Sequence, residues 1–289
     1  MQWYILVLIS ALFLGISEII KKGILSKEHT MEFLTTHFSI VFLFTLFFIH
    51  KVDFNLSINE LFLIFIKSMI LFAALFAFMK TLKHQDISKV SPIKNLSIVS
   101  VVLFAFLFFG ETLSLYNYIG VTMILIGTYF VETTPNIENP IKPIKIFKNK
   151  YSIYIFIYLI AIGLSVMLDK QITRTVDPYT LLFFMAFFIS LICWTIQIVF
   201  YNGFKDISKS FKASYSLLIF AALFNLVSDV FYLKAVAIPG TFIALIIPLK
   251  RIQTLISSFF GGEIFHEKHL LIRITGTIIM ILGTILVLS

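Results

Sequence analysis

Apolar runs of about 20 residues recur ten times along this 289-residue chain, near residues 2–20, 31–49, 61–80, 90–109, 115–131, 152–170, 180–201, 214–234, 241–261 and 270–288. At 1.5 Å per residue, a helix of about 20 residues crosses a hydrocarbon core of ~30 Å. Lipid offers no partner to free backbone groups, and barrel strands need only about 10 residues, so the runs are expected to be helices. The expected fold class is all-α integral membrane, with ten transmembrane helices. Ten spans consume about 200 residues, which leaves short connections and no room for a soluble catalytic domain, a nucleotide-binding module or a large ectodomain. The composition agrees: 59% of residues are hydrophobic and 13% charged, against roughly 45–50% and 25% in soluble domains. Gln2 to Ile20 is too long for a signal-peptide core and has no positive charge before it, so it is read as the first span.

The formal net charge of +8 is spread through the connections rather than gathered on a folded basic face. It therefore speaks for topology and against a nucleic-acid partner. Lys and Arg in the odd-numbered connections number 15, against about four in the even-numbered ones. Basic residues in short loops stay in the cytoplasm, so this bias places the central linker inside and both termini outside. Cys193 is the only cysteine, which excludes a disulfide framework and a thiolate metal site.

The longest polar interval, Glu132 to Lys150, holds Pro135, Pro140 and Pro143 with four lysines. It separates a first five-span unit (1–131) from a second (152–289), with 132–151 as a basic, proline-containing linker. The two units match. Gly15, Ser17 and Lys22 align with Gly163, Ser165 and Lys170 at an offset of 148. Pro92, Lys94, Glu111, Gly120 and Gly127 align with Pro248, Lys250, Glu267, Gly276 and Gly283 at an offset of 156. Between them Phe78-Met79-Lys80 matches Tyr232-Leu233-Lys234. A register kept over five spans marks an internal repeat. An odd number of spans per repeat turns the second upside down relative to the first, the inverted-repeat plan of transporters with a midplane site.

Two five-helix repeats, the Pro at the start of the fourth helix, Phe-Gly-Glu at 109–111, and Pro-Leu-Lys-Arg at 248–251 followed by Glu267 and Gly276 resemble the drug/metabolite transporter (DMT) superfamily, specifically its ten-helix EamA-domain family. The resemblance covers nearly the whole chain. It implies a multi-pass cell-membrane exporter or exchanger of small polar metabolites such as amino acids, with a cavity built by helices one, three, four, six, eight and nine. It implies no particular substrate, since branches of the superfamily carry amino acids, sugar phosphates, nucleotide sugars, lipid-linked sugars and cationic drugs.

A charged side chain at mid-membrane costs about 3 kcal/mol, so each needs a reason. In span eight, Asn225, Ser228, Asp229 and Tyr232 are spaced i, i+3, i+4, i+7 and share one helix face. Span nine repeats the device with Lys250, Gln253, Thr254 and Ser257, with Arg251 beside the stripe. Asp229 is expected to pair with Lys250 or Arg251, either at a substrate site or as an ion pair that fixes helix packing. Lys94 and Lys250 are repeat mates, expected to face one cavity from opposite sides of the midplane, or else to snorkel to the interface. With Arg251 they favour an anionic or zwitterionic ligand over lipophilic cations.

Glu18 lies one turn before Lys22 and is expected to be neutralised by it. An embedded Glu in a first helix resembles the proton-exchanging carboxylate of the small multidrug resistance branch, which implies proton coupling; a snorkelling helix-end carboxylate is the alternative. Lys67 and Ser68 are further candidates. Glu111 and Glu267 are expected to cap helices five and ten. Gly120, Gly127, Gly276 and Gly283 are expected to let those helices approach each other, or a partner subunit in a homodimer.

No histidine set has metal-ligand spacing, and His266 and His269 are read as solvated. No nucleophile, base and orienter occur together. The reading is therefore a transporter working in the lipid bilayer without cofactor or metal, and not an enzyme. Its rivals are a lipid-linked-sugar flippase, a cationic drug exporter and, further off, an integral-membrane enzyme.

Overall fold

The computed structural model describes residues 2–25, 30–84, 94–133, 152–256 and 270–288. Among them the regular elements are helical: α1 (Trp3–Leu25), α2 (Thr30–Thr45), α3 (Ile58–His84), α4 (Ser97–Phe109), α5 (Leu115–Thr133), α6 (Ser152–Ile172), α7 (Pro178–Phe200), α8 (Phe204–Val236), α9 (Ile243–Lys250) and α10 (Leu270–Leu288). Six of these, α1, α2 with its continuation, α3, α6, α7 and α8, contain stretches long and apolar enough to span a bilayer. Shorter apolar stretches lie in α4, α5 and α10. The Glu267, His266, His269 and Ser257 expectations lie outside the described residues, as does most of the 132–151 linker.

Local chemistry sets the helix ends. Ser57 and Glu60 exchange hydrogen bonds across the first turn of α3, with Glu60 Oε2 accepting from the Ser57 backbone N–H at 2.9 Å; this is a capping box. Asp177 caps α7 by accepting from Tyr179 N–H at 2.8 Å, with Pro178 at the first helical position where a missing N–H costs nothing. Gly110 ends α4 in the left-handed region at φ 64°, which glycine adopts without strain.

Some boundaries depart from the apolar runs. α2 tightens into a 3₁₀ turn over Leu46–Lys51. α8 begins at Phe204 and bends at Ser214, where φ is −142° and ψ 23°, so Lys205 lies on a helical extension rather than in a loop. α9 carries Pro248, which has no N–H for the Ala244 carbonyl, and the chain turns at Arg251 and Ile252 before helical residues resume at 253.

The helices pack in a pattern that crosses between the two halves. α1 lies on α8, α3 on α6, α2 and α3 both contact α7, α2 also contacts α8, α4 contacts α6 and α9, α1 contacts α9, and α5 lies along α10. Replacing each helix by the one five places away maps these contacts onto one another: α1–α8 onto α6–α3, α2–α8 onto α7–α3, and α4–α6 onto α9–α1. The repeated glycines sit at the closest of these approaches. A Cβ on Gly15 would meet the Gln253 carbonyl at 2.9 Å, and one on Gly163 would meet the Phe104 ring at 2.8 Å. A Cβ on Gly127 would meet the Gly276 carbonyl at 2.6 Å, and one on Gly120 the Gly283 carbonyl at 2.6 Å. The small-residue faces of α5 and α10 are thus taken up within one chain, where close backbone contact supplies the packing that the hydrophobic effect cannot supply in lipid.

Candidate functional site

Polar side chains from α1, α3, α6, α8 and the segments around α4 and α9 meet inside this apolar bundle. At its most enclosed point Lys67 of α3 and Asp169 of α6 form an ion pair with Nζ to Oδ1 at 2.9 Å, their side chains 3% and 6% exposed. Tyr232 of α8 donates its hydroxyl hydrogen to Asp169 Oδ2 at 3.2 Å. The Lys250 ammonium stands 4.0 Å from the Tyr232 ring centroid and 3.8 Å from Asp229 Oδ1, so it divides between an aromatic face and a carboxylate. The Asn225 amide donates to Asp229 Oδ2 at 2.6 Å, and Lys21 of α1 donates in turn to Asn225 Oδ1. The chain of contacts runs without a break from α3 through α6, α8 and α9 to α1.

A second group adjoins it. Lys94 pairs with Glu18 of α1 at 2.9 Å, and Gln253 donates to the same Glu18 oxygen at 3.3 Å. Arg251, buried, donates to Ser97 Oγ at 2.6 Å. Lys94 lies 5.5 Å from the Phe78 ring centroid. Lys94 and Phe78 align in sequence with Lys250 and Tyr232, and each of these lysines stands over its aromatic ring.

The described network holds five cations, Lys21, Lys67, Lys94, Lys250 and Arg251, against three carboxylates, Glu18, Asp169 and Asp229. Pairing each carboxylate with its nearest cation leaves Lys21 and Arg251 on neutral acceptors.

The residues singled out in the sequence divide accordingly. Asn225, Asp229, Tyr232, Lys250, Lys94, Glu18 and Gln253 belong to the connected network. Ser228 is fully buried against α1, hydrogen-bonded to Ser10 at 3.0 Å. Thr254 donates to the Arg251 carbonyl at 2.8 Å and lies beside Met280 of α10. Of the two partners open to Asp229, Lys250 is the one it meets. Glu18 meets Lys94, a long-range partner that residue spacing could not supply.

The expected cap by Glu111 is corrected. Its carboxylate accepts from the backbone N–H groups of Ile243 and Ala244 at 3.0 and 2.9 Å, so it caps α9 and not α5, and it also pairs with Lys170. Around this contact a cavity of about 450 Å³ opens at the ends of α4, α6 and α8, lined among others by Glu111, Lys170, Arg174 and Thr241.

Lys21 and Asp169 were not among the site residues that the sequence suggested. Asp169 follows the Gly163–Ser165 string by four residues and reads as part of a helix end, yet it is a carboxylate inside an apolar run, and that was the available signal. Among the described residues no cluster of His, Cys, Asp or Glu suits a metal ion. His37 is buried between Phe33 and Phe38.

The EamA-like transporter family model matches residues 1–133 and 149–289. An uncharacterized transporter in the cobO 3' region of Sinorhizobium sp. is 44% identical over 55 residues, which is 19% of this chain and 39% of that protein. A solved crystal structure superimposes with a TM-score of 0.76 over 98% of this chain and 95% of its own, at 12% identity; that likeness concerns the fold alone.

Proposed function

The chain belongs to the EamA-like transporter family, and from that premise we propose that it is a secondary transporter of a small organic anion or zwitterion, working by alternating access around the charged network. The excess of cations over carboxylates in that network carries the reading. Buried charges of one sign are costly in lipid, and a ligand of opposite charge supplies the missing partners. The same excess disfavours a lipophilic cation. Transport, rather than catalysis, is what the family match favours.

In this proposal the ten helices form two inverted repeats, 1–131 and 152–289. Three observations support the arrangement: two separate family-model segments, helix contacts that map onto each other when the halves are exchanged, and the mated Lys94–Phe78 and Lys250–Tyr232 contacts. The site is shared between the halves, so rocking one against the other exposes it to either face. Both termini lie outside in this reading, following the basic-residue bias.

Thermal-shift screening of detergent-solubilised protein tests the substrate class. Organic acids and amino acids are expected to raise the unfolding temperature, and quaternary ammonium drugs to leave it unchanged. Stabilisation by the quaternary cations alone would overturn the charge reading.

A further inference from the structure

Lys21 and Asp169 occupy matching positions in the two halves, 148 residues apart, and each reaches toward the third helix of the opposite half. On α6 the partner is complete: the Asp169 carboxylate holds the Lys67 ammonium at 2.9 Å. On α1 the contact is lopsided, because the Lys21 ammonium donates to the neutral Asn225 amide. The nearby carboxylates are already engaged, Glu18 by Lys94 at 2.9 Å and Asp229 by the Asn225 amide at 2.6 Å and by Lys250 at 3.8 Å. Arg251 likewise has a neutral acceptor, Ser97, and both it and Lys21 act electrostatically on Glu18. The half-buried Lys21 ammonium lies in the field of Glu18 and Asp229, but both carboxylates are bonded elsewhere and its own described hydrogen bond goes to a neutral amide, so a carboxylate of its own would improve its pairing. A charge-assisted bond to a carboxylate is worth more than one to an amide.

We propose that Lys21 is a substrate-contacting, specificity-determining residue: it takes an anionic group of the ligand in the place that the Lys67–Asp169 pair fills internally on the other side. Two cations without carboxylate partners then select a ligand with two negative charges, a small organic dianion. This rests on the anionic reading of the network and narrows it.

The test uses purified full-length protein in detergent, titrated with linear dicarboxylates of three to seven carbons and with monocarboxylates of the same lengths, with thermal unfolding as the readout. The wild-type protein is expected to bind at least one dicarboxylate about tenfold more tightly than its monocarboxylate counterpart, the size of one extra charge-assisted contact. Lys21→Gln removes that preference, whereas Lys21→Arg keeps it. Lys21→Met, which keeps the length of the side chain and removes its charge, should weaken dicarboxylate binding about tenfold in the same way; it carries the test if Lys21→Gln fails to fold. Dicarboxylate binding as tight as wild type in both variants would overturn the role of Lys21 and leave the anionic reading standing. Equal binding of mono- and dicarboxylates by the wild-type protein would overturn the dianion class. Binding of none of these anions would overturn this inference, and the anion-or-zwitterion reading would then stand or fall on the amino acids of the thermal-shift screen.

Discussion

Gly127→Val is expected to abolish accumulation of folded, monodisperse protein, whereas Gly23→Ala leaves it intact. A Cβ at 127 would stand 2.6 Å from the Gly276 carbonyl oxygen and 2.6 Å from Met280 Cγ, while a Cβ at Gly23 meets nothing within 4 Å. Overpacking of side chains usually costs about 1–3 kcal/mol because side chains can turn aside. Here the colliding atom is backbone, so α5 and α10 must part along their length. They are bound by close packing between small residues, which separation removes. Size-exclusion chromatography of the two variants checks the expectation, and a wild-type profile for Gly127→Val would show that the helices are not in such contact.

Lys67→Met is expected to lower stability by about 3–5 kcal/mol, the cost of leaving a buried charge unpaired. Asp169 is enclosed beside its lysine, with Tyr232 as its further hydrogen-bond donor. The double variant Lys67→Met/Asp169→Leu is expected to be more stable than the single one, because it removes the stranded carboxylate and leaves only the Tyr232 hydroxyl without its acceptor, a loss of about 1–3 kcal/mol. Thermal and denaturant midpoints in detergent measure both. A double variant no more stable than Lys67→Met would mean that the pair is not what makes the single change harmful.

The same ion pair marks where sequence reading stops. Membrane spans are legible because lipid demands that the residues of a crossing helix be apolar, a local requirement written into consecutive positions. The stripe of Asn225, Asp229 and Tyr232 was legible for a similar reason: one helix face is fixed by spacing of three and four. Lys250 and Lys94 could be singled out as charges within apolar runs. Their partners could not, because Lys67 finds Asp169 and Lys94 finds Glu18 only once α3 lies on α6 and the segment before α4 lies near α1. Glu111 shows the limit most clearly. A carboxylate next to a helix start is ordinarily read as capping that helix, but the N–H groups it satisfies belong to Ile243 and Ala244, in the other half of the chain. The glycine faces were visible at seven-residue spacing, and the packing of α5 on α10 decided that they meet each other within the chain.

The central claim is that the charged network is the path of an organic anion, and counterflow in liposomes tests it most directly. Purified protein is reconstituted into vesicles loaded with one unlabelled organic acid or amino acid at a time, and entry of the labelled compound is followed. The wild-type protein is expected to accumulate label for at least one anion or zwitterion. Asp229→Asn, Lys250→Gln and Arg251→Gln, each monodisperse in detergent, are expected to do so at least about tenfold more slowly, a change of roughly 1.4 kcal/mol. Wild-type rates in all three variants, or counterflow confined to lipophilic quaternary cations, would contradict it.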